Sequence, residues 1–243
     1  LLLDRKYNSD NVVPFWKTHL LPLVITSEIW GIVYYAFGIF NGEPFSAGRL
    51  LREILMFTQF EGSQFWYIPQ IIGIYIFIPF IAMALSHAEK KMFYFPCAAV
   101  FLLLFIPPVL NVFNSIYGHE ILNSQINLSF FFLIYGLMLI LGYMVKKGYF
   151  SFVKTYIWAA VAVVSYAFLL WMENFSYTKG PFYNCWYDSA PLLIAAFAVF
   201  NIGISLKNVR GEGVFRWISR SAFGIYLMNN MVIVTFGRLI QMQ

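Results

Sequence analysis

The sequence has 243 residues, of which 60% are hydrophobic and 11% are charged, and its mean hydropathy is +0.70. A soluble domain has about 25% charged residues, so this composition excludes a soluble globular protein and indicates a chain that crosses a membrane several times. The net charge of +5 fits an anionic inner leaflet, and we expect no nucleic-acid partner.

The length of the apolar stretches predicts the number of spanning helices. A bilayer core of about 30 Å needs about 20 apolar residues in a helix. Seven stretches fit this length, at about 18–40, 65–87, 92–112, 127–146, 150–172, 187–205 and 217–240. None of them alternates with the period of a barrel strand. The sequence therefore predicts an all-α, polytopic transmembrane helix bundle, with one domain over residues 1–243.

The basic residues predict the orientation of the chain. If the N-terminal end is cytoplasmic, the inner segments hold most of the 16 Lys and Arg, including the pairs Lys90–Lys91 and Lys146–Lys147. Cytoplasmic loops of membrane proteins carry an excess of Lys and Arg. We therefore predict a multi-pass protein with a cytoplasmic N-terminal end.

A glutamate interrupts the first predicted span, "LPLVITSEIWGIVYYAF". If the span begins at residue 18, Glu28 lies about 15 Å deep, close to the middle of the membrane. A carboxylate there costs several kcal/mol unless it is paired, neutralised or facing water. Glu28 shares a helix face with Gly31 and Tyr35, which indicates a polar stripe turned into the bundle.

The segment "EPFSAGRLLREILMF" predicts a short amphipathic helix at the outer interface, with Ser46 as its N-cap. We expect lipid to meet its apolar face, formed by Leu50, Ile54 and Leu55. We expect water to meet its polar face, formed by Arg49, Arg52 and Glu53. Such a helix is either a surface anchor or a lid over an outward opening.

The last predicted span carries a second polar stripe, Tyr226, Asn229 and Asn230, at helical spacing. Its depth is similar to that of Glu28, so the two stripes predict a shared cavity. The alternative is that these side chains only form hydrogen bonds between helices.

Two further polar sites are open to a structural or a functional interpretation. Tyr75 in the second span is typical of packing between helices. Asp188 either caps the sixth span or contacts a sugar hydroxyl, with Trp186 as a stacking platform. The sequence shows no metal-ligand spacing, Gly-rich phosphate loop or nucleophile elbow, so we expect no metal and no bound cofactor.

Four stretches resemble one family: "FWYIPQIIGIYIFIPF", "LLLDRKY" followed by "FWKTHLLPLVITSEIW", "YNCWYDSAPLLI", and "SAFGIYLMNN". In this order they resemble the membrane acyltransferase 3 family, integral-membrane O-acyltransferases of bacteria. The resemblance implies about ten spans in the full-length protein, with this chain a fragment. It also implies that the key histidine lies upstream of Leu1.

The resemblance implies transfer of an acyl group, most often acetyl from acetyl-CoA, to a hydroxyl of a cell-envelope or exported glycan. The partners would be the lipid bilayer of the plasma or inner membrane, acyl-CoA as donor substrate and the glycan acceptor. Family members often have basic residues where this chain has Lys17 and His19, and a histidine where it has Asn229. Expected substrate contacts are Lys17, His19, Glu28, Tyr35, Tyr75, Trp186, Asp188, Tyr226 and Asn229.

A transporter or translocase of a polysaccharide or small envelope precursor is the competing hypothesis. Secondary transporters also combine a polar cavity at mid-membrane with interrupted helices, although this chain shows no inverted repeat.

Overall fold

The computed structural model describes residues 2–58, 65–122, 133–179, 187–206 and 212–241. Every regular element within these ranges is helical, which confirms the all-α prediction. The α-helices are α1 (Ser9–Phe15), α2 (Leu21–Phe40), α3 (Ala47–Ile54), α4 (Tyr67–His87), α5 (Tyr94–Val100), α6 (Ile106–Tyr117), α7 (Leu133–Lys146), α8 (Thr155–Lys179), α9 (Ala190–Ser205) and α10 (Glu212–Gln241).

The long apolar helices match the predicted spans. Within the described residues, four continuous helical stretches have the length and hydropathy to cross a membrane: Asp10–Phe40, Tyr67–His87, Lys90–Tyr117 and Thr155–Lys179. Helices α7 and α9 are shorter apolar helices, and α10 covers the last predicted span. Part of the fourth predicted span, residues 127–132, lies outside the described residues. These helices form the bundle of a polytopic membrane protein.

Two of the long stretches contain a π-helical turn next to a proline. Trp16–Leu20 joins α1 to α2, and the N–H of Leu21 donates to the carbonyl of Trp16, five residues back. A second π-helical turn, Phe101–Phe105, joins α5 to α6. Proline lacks an N–H and clashes with the carbonyl four residues before it. The wider turn therefore satisfies carbonyls that Pro22 and Pro107 would leave without a donor.

The described helices divide into two compact units. The first unit contains α1, α2, α3, α4 up to Met83, and α10. Its buried core consists of Tyr34, Tyr35, Phe65, Ile68 and Leu227.

The hydroxyl of Tyr34 joins α2 to α10 inside this core. It donates to the carbonyl of Leu227 at 2.7 Å and accepts from the N–H of Met231 at 3.1 Å. These two groups are the usual partners of one helical hydrogen bond, because residues four apart pair in an α-helix. The Tyr34 hydroxyl thus inserts into the α10 ladder and determines which face of α10 meets α2.

The second unit contains the end of α4 from Ala84, followed by α5 to α9. One of its clusters combines Val100, Phe105 and Leu137 with Ala190 and Leu193.

Asn111 holds the turn after α6 in this unit. It is 1% exposed, its amide nitrogen donates to the Leu122 carbonyl at 2.9 Å, and its amide oxygen accepts from the Leu122 N–H at 2.7 Å. Gly118, which ends α6, has φ of +71°, a value that glycine adopts without strain. Asn111 therefore has a structural role here.

Helix α8 provides a direct test of the predicted orientation. At about 1.5 Å per residue it is about 37 Å long, so it exceeds the bilayer core and its ends should meet opposite aqueous phases. We expect a cysteine at Lys154, directly before α8, to react with an impermeant maleimide only from the cytoplasmic side. A cysteine at Lys179 should react only from outside. Reversed labelling would contradict the orientation, and labelling of both sites from one side would contradict the span.

Candidate functional site

The short helix α3 is attached to α2 at its first turn. Ser46 is the N-cap, as predicted, and its hydroxyl accepts from the N–H of Arg49 at 3.3 Å. The Tyr35 hydroxyl donates to the carbonyl of Ser46 at 2.8 Å and accepts from its N–H at 2.7 Å. Tyr35, which we expected beside Glu28 as a substrate contact, thus positions the start of α3.

Arg49 connects α3 to two carboxylates. Its Nε donates to Oε1 of Glu53 at 2.7 Å, and its Nη1 lies 2.9 Å from Oε2 of Glu43. The guanidinium also lies over the ring of Tyr35, 5.4 Å from the ring centroid, a favourable cation–π geometry. Gly38 makes room for Glu43, because a Cβ at position 38 would lie 2.9 Å from Glu43 Oε2. Arg49 is therefore fixed on both sides.

Glu53 is buried, with 2% of its surface exposed. This corrects the expectation that it faces water. The reason is that Leu50, three residues earlier on the same face, packs against the Tyr34–Leu227 core. Leu51 and Leu55 are exposed instead. Burial of the Glu53 carboxylate is tolerated because Arg49 supplies a positive charge and a hydrogen bond.

A cavity of about 170 Å³ lies between α2, the end of α3 and the start of α4. Both Glu28 and Glu53 line it. The other described residues that line it include three hydrogen-bonding side chains, Ser27, Thr58 and Gln70, and three aromatic ones, Phe57, Phe65 and Trp66. Met56, Ile68 and Pro69 complete the lining among the described residues.

Each glutamate contributes one oxygen whose hydrogen bonding is unsatisfied. Oε2 of Glu28 and Oε2 of Glu53 are both buried, and neither has a hydrogen-bond partner among the described residues. A buried polar atom without a partner costs about 1–3 kcal/mol, and a charged one costs more. Because both residues line the same cavity, water or a ligand within it would supply the missing donors.

Strained backbone borders the same cavity at Met56, whose φ is +57°. Its N–H donates to the Glu53 carbonyl, and the next N–H, of Phe57, donates to the Arg52 carbonyl, both at 2.9 Å. These bonds form a Schellman motif, whose left-handed position is usually a glycine. The turn costs about 1–2 kcal/mol at a methionine, and it directs Phe57 and Thr58 onto the cavity.

Glu28 lies level with the start of α4. Trp16 Nε1 donates to the carbonyl of Ile76, near the middle of α4, at 3.2 Å. Glu28 is about 18 Å further along its helix, so it reaches the N-terminal end of α4, where it shares the cavity with Trp66 and Gln70. The first long helix runs from Asp10 to Phe40, with Glu28 well inside it, so the position of Glu28 close to the middle of the membrane stays a prediction.

We expected the last span to contribute to this cavity, but none of the described residues of α10 lines it. Tyr226 packs edge-on against Tyr67, with 6.4 Å between ring centroids. Asn229 is exposed and is not among the residues that line the cavity, so the shared cavity with Glu28 is wrong. The reason is that Leu227, which bonds Tyr34, faces α2, and Asn229 lies about 200° further round the helix.

Lys17, His19 and Tyr75 form a second group, which is separate from the cavity. The ring of His19 stacks on Phe15 at 4.8 Å, and Phe15 stacks on Tyr75 at 6.3 Å. Nδ1 of His19 lies 2.7 Å from the Thr18 hydroxyl and 3.2 Å from the Phe15 carbonyl. Lys17 is exposed beside it. Glu28 is about 14 Å or more from this group along the helix axis.

Asp188 lies before α9, in the second unit. The N-cap of α9 is Ser189, and neither residue makes a capping hydrogen bond among the described residues. Capping by Asp188 is therefore not observed. Trp186 lies outside the described residues, so a sugar contact at this pair stays a prediction.

The model of the acyltransferase 3 family, described as an acyltransferase domain, matches residues 1–243. The chain belongs to the acyltransferase 3 family. This confirms the resemblance seen in the four sequence stretches. Comparison with curated proteins and with solved structures gave no match.

For an acyltransferase 3 protein, the residue that sequence reasoning missed is Glu53. A signal was present, because Arg49 and Glu53 are four residues apart and so face each other on a helix. Leu50, three residues before Glu53, lies on the same face of the helix, and burial of the leucine brings the carboxylate inward. The sequence also gives no sign that Trp66 and Gln70 line a cavity.

Removal of Arg49 tests whether the buried Glu53 depends on it. Arg49→Met should lower the free energy of unfolding by about 3–5 kcal/mol, because it leaves an uncompensated buried charge. Arg52→Met is the matched control on the same helix, since Arg52 is exposed and its loss should change stability by less than about 0.5 kcal/mol. Denaturant titration of both variants in the same micelles measures the difference. Equal stability of the two variants would contradict the burial of Glu53.

Proposed function

We propose that the chain is a membrane acyltransferase of the bacterial plasma membrane. It would transfer an acyl group, in the simplest case acetyl, from acyl-CoA at the cytoplasmic face to a hydroxyl of a cell-envelope or exported glycan. Membership of the acyltransferase 3 family supports acyl transfer in general. The observation that carries the acceptor assignment is the cavity in which Glu28 and Glu53 each present an unpaired oxygen.

The cavity has the chemistry that a sugar needs. Carboxylate oxygens accept hydrogen bonds from hydroxyls, while Gln70 and Thr58 both donate and accept. Trp66 supplies an aromatic face against which the apolar face of a sugar ring packs. Trp66 and Gln70 are also exposed, so a glycan can reach the cavity from their side.

The group around His19 is suited to the acyl donor. Lys17 is exposed and carries a positive charge that would pair with a phosphate of CoA. Nδ1 of His19 contacts Thr18 and Phe15, so Nε2 is the ring nitrogen that would hydrogen-bond to the donor substrate, as donor or acceptor according to the tautomer. A separation of about 14 Å or more along the helix from Glu28 suits a donor and an acceptor that enter from opposite sides of the membrane.

The reaction requires a general base, an oxygen nucleophile and a thioester. The base takes the proton of the acceptor hydroxyl, and the oxygen attacks the thioester carbonyl. The C–S bond then breaks, and the departing thiolate takes that proton from the base and leaves as the CoA thiol. We assign Glu28 and Glu53 to holding and orienting the acceptor, an effect that raises the rate by proximity. The family resemblance assigns the base to a histidine upstream of Leu1.

Replacement of Glu28 tests the acceptor assignment. Glu28→Gln in the intact protein should lower acyl transfer about 10- to 100-fold, because a hydrogen bond to a charged group contributes about 1.5–3 kcal/mol. The measurement is transfer of radiolabelled acetyl from acetyl-CoA to the envelope glycan fraction in membrane vesicles. Glu89→Gln, an exposed glutamate in the second unit, is the control and should keep full transfer.

Two results would contradict the proposal. Unchanged transfer by Glu28→Gln, at equal amounts of folded protein, would remove Glu28 from the acceptor site. Movement of glycan across the vesicle membrane with no acyl transfer by the unaltered protein would favour the translocase hypothesis.

A further inference from the structure

We infer that the Glu28–Glu53 cavity binds a protonated amine, and that the acceptor glycan therefore carries a free amino group, as an unacetylated amino sugar does. This inference rests on the proposed function for the identity of the ligand as acceptor. It concerns the chemical class of the group that occupies the cavity.

The first argument is the balance of charge around the cavity. No lysine, arginine or histidine is among the described residues that line it. Arg49 is not among the lining residues; its guanidinium pairs with Glu53 through Nε and with Glu43 through Nη1. The carboxylates of Glu28, Glu43 and Glu53 thus share a single arginine among these contacts, which leaves an excess of negative charge. A cation in the cavity would be attracted to both Glu28 and Glu53.

The second argument is hydrogen-bond stoichiometry. The two unsatisfied atoms, Oε2 of Glu28 and Oε2 of Glu53, are both acceptors. An ammonium group has three donors and no acceptor, so its donors suit a cavity whose two unsatisfied atoms are both acceptors. A neutral hydroxyl donates once and also needs a donor for its own oxygen. The pair of buried acceptors therefore matches an amine better than a hydroxyl.

The third argument is the environment of Glu53. It is 2% exposed, so bulk water screens its charge weakly and an ion pair there is stronger than one at the surface. The aromatic walls formed by Phe57, Phe65 and Trp66 would stabilise an organic cation further.

The cavity volume limits what enters. At about 170 Å³ it is smaller than the pockets of about 300–1,000 Å³ that hold drug-sized ligands. It suits one amine-bearing group at a time, with the rest of the glycan outside. A divalent metal ion fits less well, because calcium takes six to eight oxygen ligands, whereas Arg49 already occupies one oxygen of Glu53.

The test is binding of two trisaccharides that differ only at nitrogen. The intact protein in lipid nanodiscs is titrated, without acyl-CoA, with a glucosamine trimer and with its fully N-acetylated form. We expect the glucosamine trimer to bind at least 10-fold more tightly. Glu28→Gln and Glu53→Gln should each abolish this preference, and Glu89→Gln should leave it intact. Melting temperatures show whether each variant is folded.

Substitution of a buried glutamate could unfold the protein, so a second variant changes an exposed residue instead. Gln70 is exposed and lines the cavity, so Gln70→Lys should fold normally and add an ammonium group of the protein at the cavity. It should weaken binding of the glucosamine trimer at least 10-fold more than binding of the N-acetylated trimer.

Equal binding of the two trimers by the unaltered protein would overturn the inference. So would a preference for the glucosamine trimer that survives Glu53→Gln, or displacement of that trimer by calcium at equal concentration. Failure of the proposed function and failure of this inference give different results. If the protein binds the glucosamine trimer selectively but acylates no glycan, the amine site stands and the acyltransferase assignment is wrong. Equal acylation of both trimers keeps the assignment and excludes the amine.

Discussion

The placement of Arg49 is the interaction on which the candidate site depends. Its guanidinium lies over the ring of Tyr35 and between Glu43 and Glu53. The Tyr35 hydroxyl in turn bonds the backbone of Ser46, the N-cap residue of α3. These contacts attach an eight-residue helix that has little intrinsic stability, since isolated helices shorter than about 12 residues are marginal. They also make it possible to bury Glu53. Without Arg49 the carboxylate would have to be neutral or exposed, and one side of the cavity would be lost.

The same geometry explains how the chain tolerates a glutamate in its first spanning helix. Glu28 lies level with the beginning of α4 and shares a cavity with polar and aromatic side chains, so it has access to water or ligand donors. The strained turn at Met56 closes another side of the cavity. Strain of this kind is often found at functional sites, which is consistent with a binding role for this region.

Much of the fold could be predicted from the sequence, because membrane helices leave a long apolar signal that depends little on tertiary contacts. The cap at Ser46 was predictable for a similar reason, since capping is local. The orientation of helix faces was harder to predict. The inward face of α3 depends on the packing of Leu50 and on the pair of Arg49 with Glu53. The exposed position of Asn229 depends on one tyrosine hydroxyl, that of Tyr34, 197 residues from its contact at Met231. The π-helical turn Trp16–Leu20, which precedes α2, lies next to Pro22, but a proline alone does not specify the wider turn.

The most direct test of this account is an experimental structure of the intact protein in lipid nanodiscs, at a resolution that shows side chains and ordered water. We expect Glu53 to bond Arg49 through one oxygen and to direct the other into a water-filled cavity that also contains the carboxylate of Glu28. A lysine or arginine side chain inserted between the two carboxylates, or a Glu53 that faces lipid or bulk solvent, would contradict it.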